Sequence, residues 1–168
     1  MVGLQILKTN EVIKMAITGL PGVGKTTITN LLTNKKIPEK HDPTIGVNFS
    51  NTKLQELNSI LSVFDFAGQD RFGFILDDLI KGSKIILLVT DSTPRTVLNS
   101  IPLLNRLKII APSSRIIAIA NKQDIQGALS PERVANILGL ETYGMIAIDC
   151  REKVHMYRIL VNALKTVH

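Results

Sequence analysis

Three stretches of the chain are almost entirely apolar and are bounded by polar residues: Val12 to Thr18, Lys84 to Thr90 and Arg115 to Ala120. A short continuous apolar run of this kind is typical of a strand that is covered on both faces. We therefore predict three buried strands.

Three further runs carry strand signals. Val47 to Leu54 and Ile60 to Phe66 are separated by the polar stretch Glu56 to Ser59, which predicts an antiparallel hairpin. Met145 to Cys150 predicts the last strand of the chain.

Between most of these runs, apolar residues recur with the spacing of a helix. Ser130 is a predicted N-cap with Pro131 in the first turn, and Gly139 follows the end of that helix. Pro102 is expected to kink the helix that contains it. The predicted helices are Lys25 to about Leu32, Phe74 to Ile80, Thr93 to Ile109, Pro131 to about Leu138 and Lys153 to Lys165.

The alternation of strands and helices predicts an α/β fold. It indicates a six-stranded, mostly parallel sheet with one antiparallel strand and helices on both faces. Such a sheet binds its ligand beyond the carboxyl ends of its strands. We predict one domain over residues 11–168 and an N-terminal extension over residues 1–10.

The amino-acid composition and charge indicate the kind of core, ligand and cellular compartment to expect. The chain has 168 residues, of which 45% are hydrophobic but only 4% are aromatic, so the core must be aliphatic. The net charge of +6 is scattered along the chain, which favours a small polyanionic ligand over nucleic acid. Cys150 is the single cysteine, which suits a reducing cytosol, and no apolar run reaches the roughly 18 residues of a membrane span. We expect a cytoplasmic protein.

The loop from Gly19 to Thr26 has the sequence Gly-Leu-Pro-Gly-Val-Gly-Lys-Thr and fits G-x-x-x-x-G-K-[ST] at every fixed position. Its glycines let successive backbone N–H groups point into one concavity that binds phosphate oxygens. Lys25 would add a positive charge at the β- and γ-phosphates, and the Thr26 hydroxyl a ligand for Mg²⁺. An incidental Gly-rich turn is the disfavoured alternative.

Asp65 ends a predicted strand and is followed by Ala67-Gly68-Gln69. The Asp65 carboxylate is suited to hold Mg²⁺ through water, the Gly68 N–H to approach a terminal phosphate, and Gln69 to orient an attacking water. A helix cap or turn is the alternative for an Asp in this position.

Thr44 lies in the polar loop Asp42-Pro43-Thr44-Ile45-Gly46. Its hydroxyl would supply a second ligand to Mg²⁺, and its N–H would contact a γ-phosphate. An ordinary Asp-Pro turn is the alternative.

Asn121-Lys122-Gln123-Asp124 follows the predicted strand Arg115 to Ala120. The Asp124 carboxylate can accept hydrogen bonds from the N1–H and 2-amino groups of guanine, whereas adenine does not offer this donor pair. The stem of Lys122 would lie along the base, and Asn121 would tie neighbouring loops together. A cap for a following helix is the alternative.

Ile148-Asp149-Cys150-Arg151 follows the last predicted strand. A backbone N–H of this segment would meet the guanine O6, and a long cationic side chain would cover the face of the ring.

These segments, in this order and at this spacing, resemble the Ras-like small GTPases over about residues 12–165. Pro43 to Gly46 and Asn121 to Asp124 are similar to the Arf-like branch and to related small GTPases of prokaryotes, whereas Ala67 to Phe72 is closer to Ras and Rab. The resemblance implies the P-loop NTPase fold and a GTP/GDP switch with slow, Mg²⁺-dependent hydrolysis.

The resemblance also implies roles for individual residues. Gln69, Lys25 and Thr44 would be catalytic, and Thr26, Thr44 and Asp65 would hold Mg²⁺. GTP or GDP would be bound by Gly19, Gly22, Val23, Gly24, Lys25, Thr26, Thr27, Gly68, Asn121, Lys122, Asp124, Cys150 and Arg151.

Two other functions stay open. One is a GTP-bound interaction module with negligible hydrolysis; Pro21 favours it, because Pro21 stands where Ras has glycine and contributes no N–H to the loop. The other is a P-loop kinase of small molecules, which would leave Asn121 to Asp124 unexplained.

The resemblance further implies that an effector, an exchange factor and a GTPase-activating protein bind through two switch segments, residues 36–46 and 67–76. We expect no direct contact with nucleic acid and a monomeric protein. The basic charge would permit peripheral contact with a membrane surface.

Overall fold

A computed structural model describes residues 13–33, 47–54, 57, 59–66, 77–78 and 80–166, and for residues 47–52, 54 and 63–66 it describes the backbone. The strands are β1 (Ile13–Gly19), β2 (Val47–Leu54), β3 (Ser59–Phe66), β4 (Ile85–Thr90), β5 (Arg115–Ala120) and β6 (Thr142–Gly144). The helices are α1 (Lys25–Thr33), α2 (Pro94–Asn99), α3 (Ile101–Ile110), α4 (Pro131–Leu138) and α5 (Glu152–Lys165).

The strands form one sheet in the order β2-β3-β1-β4-β5-β6. Five of them, from β3 to β6 across the sheet, run parallel, and β2 joins the edge antiparallel to β3. The α/β fold and its parallel sheet are therefore confirmed.

The sheet is covered on both faces, and its central strands are apolar at most positions. In β4, Ile85, Leu87 and Val89 pack on one side with residues of α1 and α5. Ile86 and Leu88 pack on the other side with residues of α2, α3 and α4. This two-sided burial holds the carboxyl ends of the strands rigidly at one edge.

The stretch predicted as a helix from Thr93 to Ile109 is helical but interrupted at Ser100, where α2 and α3 meet, so the expected kink near Pro102 is confirmed and a single continuous helix is not. Pro102 cannot donate a hydrogen bond to the carbonyl of Leu98, and its ring would clash with that carbonyl. The chain therefore begins a new helix at Ile101, where a proline in the first turn loses no bond.

The predicted last strand from Met145 to Cys150 is also wrong, because β6 ends at Gly144. The Met145 N–H still donates to the Ala120 oxygen at 2.9 Å, but the Ala147 N–H donates instead to the side chain of Asn121 at 3.0 Å. Met145 and Ala147 are buried and Ile148 is exposed, so buried and exposed residues alternate in this loop much as they do in a strand.

The other predicted elements agree with the structure within a residue or so, and β5 and β2 have the predicted bounds. Most of the predicted helix from Phe74 to Ile80 lies outside the described residues, although Asp77, Asp78 and Ile80 are helical. Within the described part of the chain, no helix is long and apolar enough to cross a membrane.

We expect Leu87→Ala to lower the free energy of unfolding by about 2–5 kcal/mol, because Leu87 is fully buried at the centre of the sheet and its truncation leaves a cavity. Leu98→Ala is the matched control, since Leu98 on α2 is 54% exposed. Urea denaturation measures both variants, and an equal loss in the two would contradict this account of the core.

Candidate functional site

The candidate residues lie at the carboxyl edge of the sheet. β1 ends at Gly19 and runs directly into the loop 20–24 and α1, while Asn121 follows the last residue of β5. β1 and β4 are neighbours, with Gly19 opposite Val89, and β5 lies beside β4. The parallel topology thus brings together loops that are far apart in the sequence.

Close packing requires glycine at two positions of the first loop. Gly24 has φ +105°, and a Cβ there would lie 2.3 Å from Asn121 Nδ2. Gly19 has φ +153°, and a Cβ there would lie 2.3 Å from the Val89 oxygen. The loop 19–24 therefore takes a path that a chain with side chains at these positions could not follow.

Lys25 is 2% exposed, and its ammonium lies under this loop. Lys25 Nζ donates to the Gly19 oxygen at 3.0 Å and to the Leu20 oxygen at 2.8 Å. A cation held by the loop, at the positive N-terminus of α1, fits a polyphosphate. Thr26 is exposed on the first turn of the same helix, where its hydroxyl is accessible to a ligand.

Asn121 is 2% exposed and connects three loops. Its Nδ2 donates to the Val23 oxygen at 2.9 Å, and its Oδ1 accepts a hydrogen bond from the Ala147 N–H at 3.0 Å. The prediction that Asn121 ties neighbouring loops together is confirmed.

Lys122 extends from the loop after β5 to the loop after β1. Its Nζ donates to the Gly22 oxygen at 2.8 Å, so its aliphatic stem spans the gap between the two loops. Asp124 is exposed two residues further on, where its carboxylate is accessible to a ligand. The structure thus brings the predicted phosphate-binding and base-binding loops into contact.

Two residues of this site, Ser92 and Gln123, were not assigned a role from the sequence. Ser92 is fully buried, and its hydroxyl donates to the backbone oxygen of Asn121 at 2.6 Å. Gln123 Nε2 donates to Ser92 Oγ at 2.8 Å. Ser92 lies just beyond β4, at the same edge of the sheet. In the sequence, only the position of Ser92 after an apolar run points to the site, and an ordinary turn residue would occupy the same position.

The loop after β6 differs from its prediction. The Arg151 side chain is folded onto the Asp149 carboxylate, with its Nε 2.9 and 3.0 Å from the two oxygens and its Nη2 2.6 Å from one of them. These bonds lower the pKa of Asp149 to about 2. Arg151 is thus held by an ion pair within its own loop, and Cys150 is exposed beside it.

Thr44, Gly68 and Gln69 lie outside the described residues, as do both predicted switch segments. Asp65 is described by its backbone in β3. β1 pairs with β3 as far as Ile17 opposite Val63, and the same register places Asp65 level with Gly19. Asp65 and Thr26 thus belong to elements that meet at this edge, which fits the proposed cation site.

The strand-loop-helix geometry and the buried Lys25 define the class of a P-loop nucleotide-binding protein. A family model described as Ras of Complex, Roc, domain of DAPkinase matches residues 14–124, more than half of the chain.

Individual relatives agree with that match. ADP-ribosylation factor-like protein 5 of Caenorhabditis elegans is 32% identical over 133 residues, which cover 77% of this chain and 72% of that protein. ADP-ribosylation factor-like protein alp41 of Schizosaccharomyces pombe is 31% identical over 144 residues, covering 83% and 74%. Ras-related protein Rab-4 of Dictyostelium discoideum is 34% identical over 117 residues, covering 67% and 57%.

The chain therefore belongs to the Ras-like small GTPases and is similar to their Arf-like branch. As a member of this family it binds guanine nucleotide, hydrolyses GTP and acts as a GTP/GDP switch.

We expect Gly24→Ala to destabilise the protein by roughly 1–3 kcal/mol more than Gly82→Ala, since the new methyl group would press on Asn121 Nδ2. Asn121 cannot move away without losing its bonds to Val23 and Ala147. Gly82 also has a positive φ, +76°, but a Cβ there meets nothing within 4 Å. Urea denaturation compares the two variants, and equal losses would show that the contact with Asn121 is unimportant.

Proposed function

We propose that this chain is a Mg²⁺-dependent GTP/GDP switch whose nucleotide lies between residues 19–27 and residues 121–124. The observation that carries the proposal is the buried amide of Asn121. It donates to the Val23 oxygen, which ties the loop 121–124 to the loop after β1, and it accepts from the Ala147 N–H. A nucleotide has phosphates at one end and a base at the other, so its two binding loops must keep a constant distance.

The phosphate end would be bound by Gly19, Gly22, Val23, Gly24, Lys25, Thr26 and Thr27. Lys25 Nζ would exchange its bonds with the loop carbonyl oxygens for bonds with the β- and γ-phosphates, which offer a full negative charge. Thr26, Thr44 and Asp65 would hold Mg²⁺, which neutralises phosphate charge when it is bound.

The base end would be recognised by Asp124, whose carboxylate accepts from both the N1–H and the 2-amino group of guanine. Lys122, whose stem already spans the two loops, would lie along the ring. The Cys150 N–H would meet O6. Arg151 would first have to leave Asp149 to cover the ring face, so its contribution depends on breaking that ion pair.

Hydrolysis would proceed by in-line attack of a water that Gln69 orients and that Gly68 and Thr44 help to place at the γ-phosphate. Catalysis would consist mainly of positioning and charge neutralisation. Without an arginine supplied by a partner, the rate is expected to be slow, on the order of 10⁻⁴ s⁻¹ as for Ras alone.

The proposal extends to the organisation of the chain and its partners. Residues 11–168 would form the GTPase domain and residues 1–10 an extension. An effector, an exchange factor and an activating protein would bind a monomer through residues 36–46 and 67–76. The protein would work in the cytoplasm or at the surface of a membrane, where the net charge of +6 would favour anionic lipids.

We expect Asp124→Asn to lower the affinity for GDP about 100-fold or more and to raise the affinity for xanthosine diphosphate. An amide can accept only at its oxygen, whereas its NH₂ can donate to the 2-oxo group of xanthine. Titration with fluorescently labelled GDP and xanthosine diphosphate measures both affinities. Asp78→Asn is the control, since Asp78 lies on the exposed surface. Unchanged selectivity in Asp124→Asn would contradict the proposed recognition of guanine.

We expect Pro21→Gly to raise the single-turnover rate of GTP hydrolysis about threefold or more, because the variant gains an N–H beside the phosphates and loses the ring. Gln69→Leu removes the group that would orient the water, so its hydrolysis rate is the reference for the slowest expected rate. An unchanged rate in Pro21→Gly would contradict a role for Pro21 in hydrolysis. A wild-type rate equal to that of Gln69→Leu would instead indicate the interaction module that hydrolyses negligibly.

A further inference from the structure

Gln123, the third residue of the loop 121–124, is held by several hydrogen bonds. Gln123 Nε2 lies 2.8 Å from Ser92 Oγ, 3.1 Å from the Leu129 oxygen and 3.3 Å from the Ala120 oxygen. The Gln123 side chain therefore joins the end of β5 to the loop after β4 and to the start of the segment that leads into α4.

Ser92 gives these bonds a direction. Its hydroxyl has one hydrogen, which it donates to the Asn121 oxygen at 2.6 Å, so towards Gln123 it acts as the acceptor. Ser92 is fully buried, and water does not compete for either bond. The result is a relay from Gln123 through Ser92 to the backbone of Asn121.

The backbone within this relay is strained. Among the described residues, only Ser92 and Lys122 have a positive φ without being glycine, at +66° and +59°. Such conformations persist only where surrounding contacts impose them. Ser92 belongs to the relay, and Lys122 lies between two of its members, so the relay is one of the contacts that hold the path of the chain just before Asp124.

Packing fixes Gln123 from the opposite side. A Cβ on Gly144 would lie 3.4 Å from Gln123 Cγ and 2.7 Å from Pro131 Cγ, which shows how closely the Gln123 stem passes beneath β6. The Gln123 N–H also donates to the Met145 oxygen at 3.2 Å. Backbone and side chain of Gln123 are thus both held, directly beside the exposed Asp124.

We propose that Gln123, acting through Ser92, is a positioning residue that orients Asp124 and Lys122 and thereby sets the discrimination for guanine. This inference rests on the proposed recognition of the base by Asp124. A carboxylate accepts from N1–H and from the 2-amino group only when its plane matches that of the ring. A rotation of the loop takes the carboxylate out of this plane and weakens both bonds, including the one from the 2-amino group.

The experiment compares GDP with inosine diphosphate, whose base lacks the 2-amino group. Dissociation rates of both are measured for the full chain, for Gln123→Leu and for Ser92→Ala. We expect the wild type to hold GDP about 10-fold or more longer than inosine diphosphate, the order of magnitude for one bond to a charged group. In both variants this ratio should fall towards one.

Gln126→Leu is the matched control, because Gln126 is an exposed glutamine three residues further along the same loop. Its ratio should equal that of the wild type. Thermal melting identifies folded variants, and if Gln123→Leu does not fold, Ser92→Ala decides, since it interrupts the same relay by removing a single oxygen.

Two results would overturn the inference, and they are distinguishable. If the variants release both nucleotides faster by the same factor, Gln123 and Ser92 serve stability alone, and the proposed recognition by Asp124 stands. If the wild type itself does not distinguish GDP from inosine diphosphate, the recognition of the 2-amino group by Asp124 fails, and the role of Gln123 fails with it.

Discussion

The structure depends on one buried amide, that of Asn121. Its nitrogen donates to the loop after β1, and its oxygen accepts from the loop after β6. A side-chain amide is neutral and offers a donor and an acceptor at a fixed separation, so it can join two loops without placing an unpaired charge in the interior. Glycine is favoured at position 24 for the same reason, because a side chain there would press on the amide.

The sheet makes this arrangement possible. Parallel strands deliver their loops to one edge, and burial of both faces of β4 and β5 prevents these loops from shifting relative to one another. Lys25 is buried at this edge and Lys122 crosses it, and both donate to carbonyl oxygens of the loop 19–24. Two ammonium groups are thus held at the edge where we propose that the phosphates bind.

The sequence was most informative where a single local rule governs the structure. Continuous apolar runs located β1, β4 and β5, and Ser130 with Gly139 located the ends of α4, because strand burial and helix capping depend on a few adjacent residues. The motif from Gly19 to Thr26 and the tie made by Asn121 were predictable because their chemistry requires particular residue types at fixed positions.

The errors arose where contacts between distant segments decide the structure. The loop after β6 follows the side chain of Asn121 and not its own strand-like alternation. Arg151 binds Asp149 because the two residues carry opposite charges and lie two positions apart in a turn. The bond between Ser92 and Gln123 joins the loops that follow two different strands, β4 and β5, and no periodic pattern indicates such a bond.

The central claim is that the two loops joined by Asn121 bind a guanine nucleotide with Mg²⁺. It is tested most directly by identifying the nucleotide that co-purifies with the full chain and by measuring its release with and without a chelator of Mg²⁺. The account predicts GDP or GTP, released faster when Mg²⁺ is removed. Recovery of ADP or ATP would contradict it.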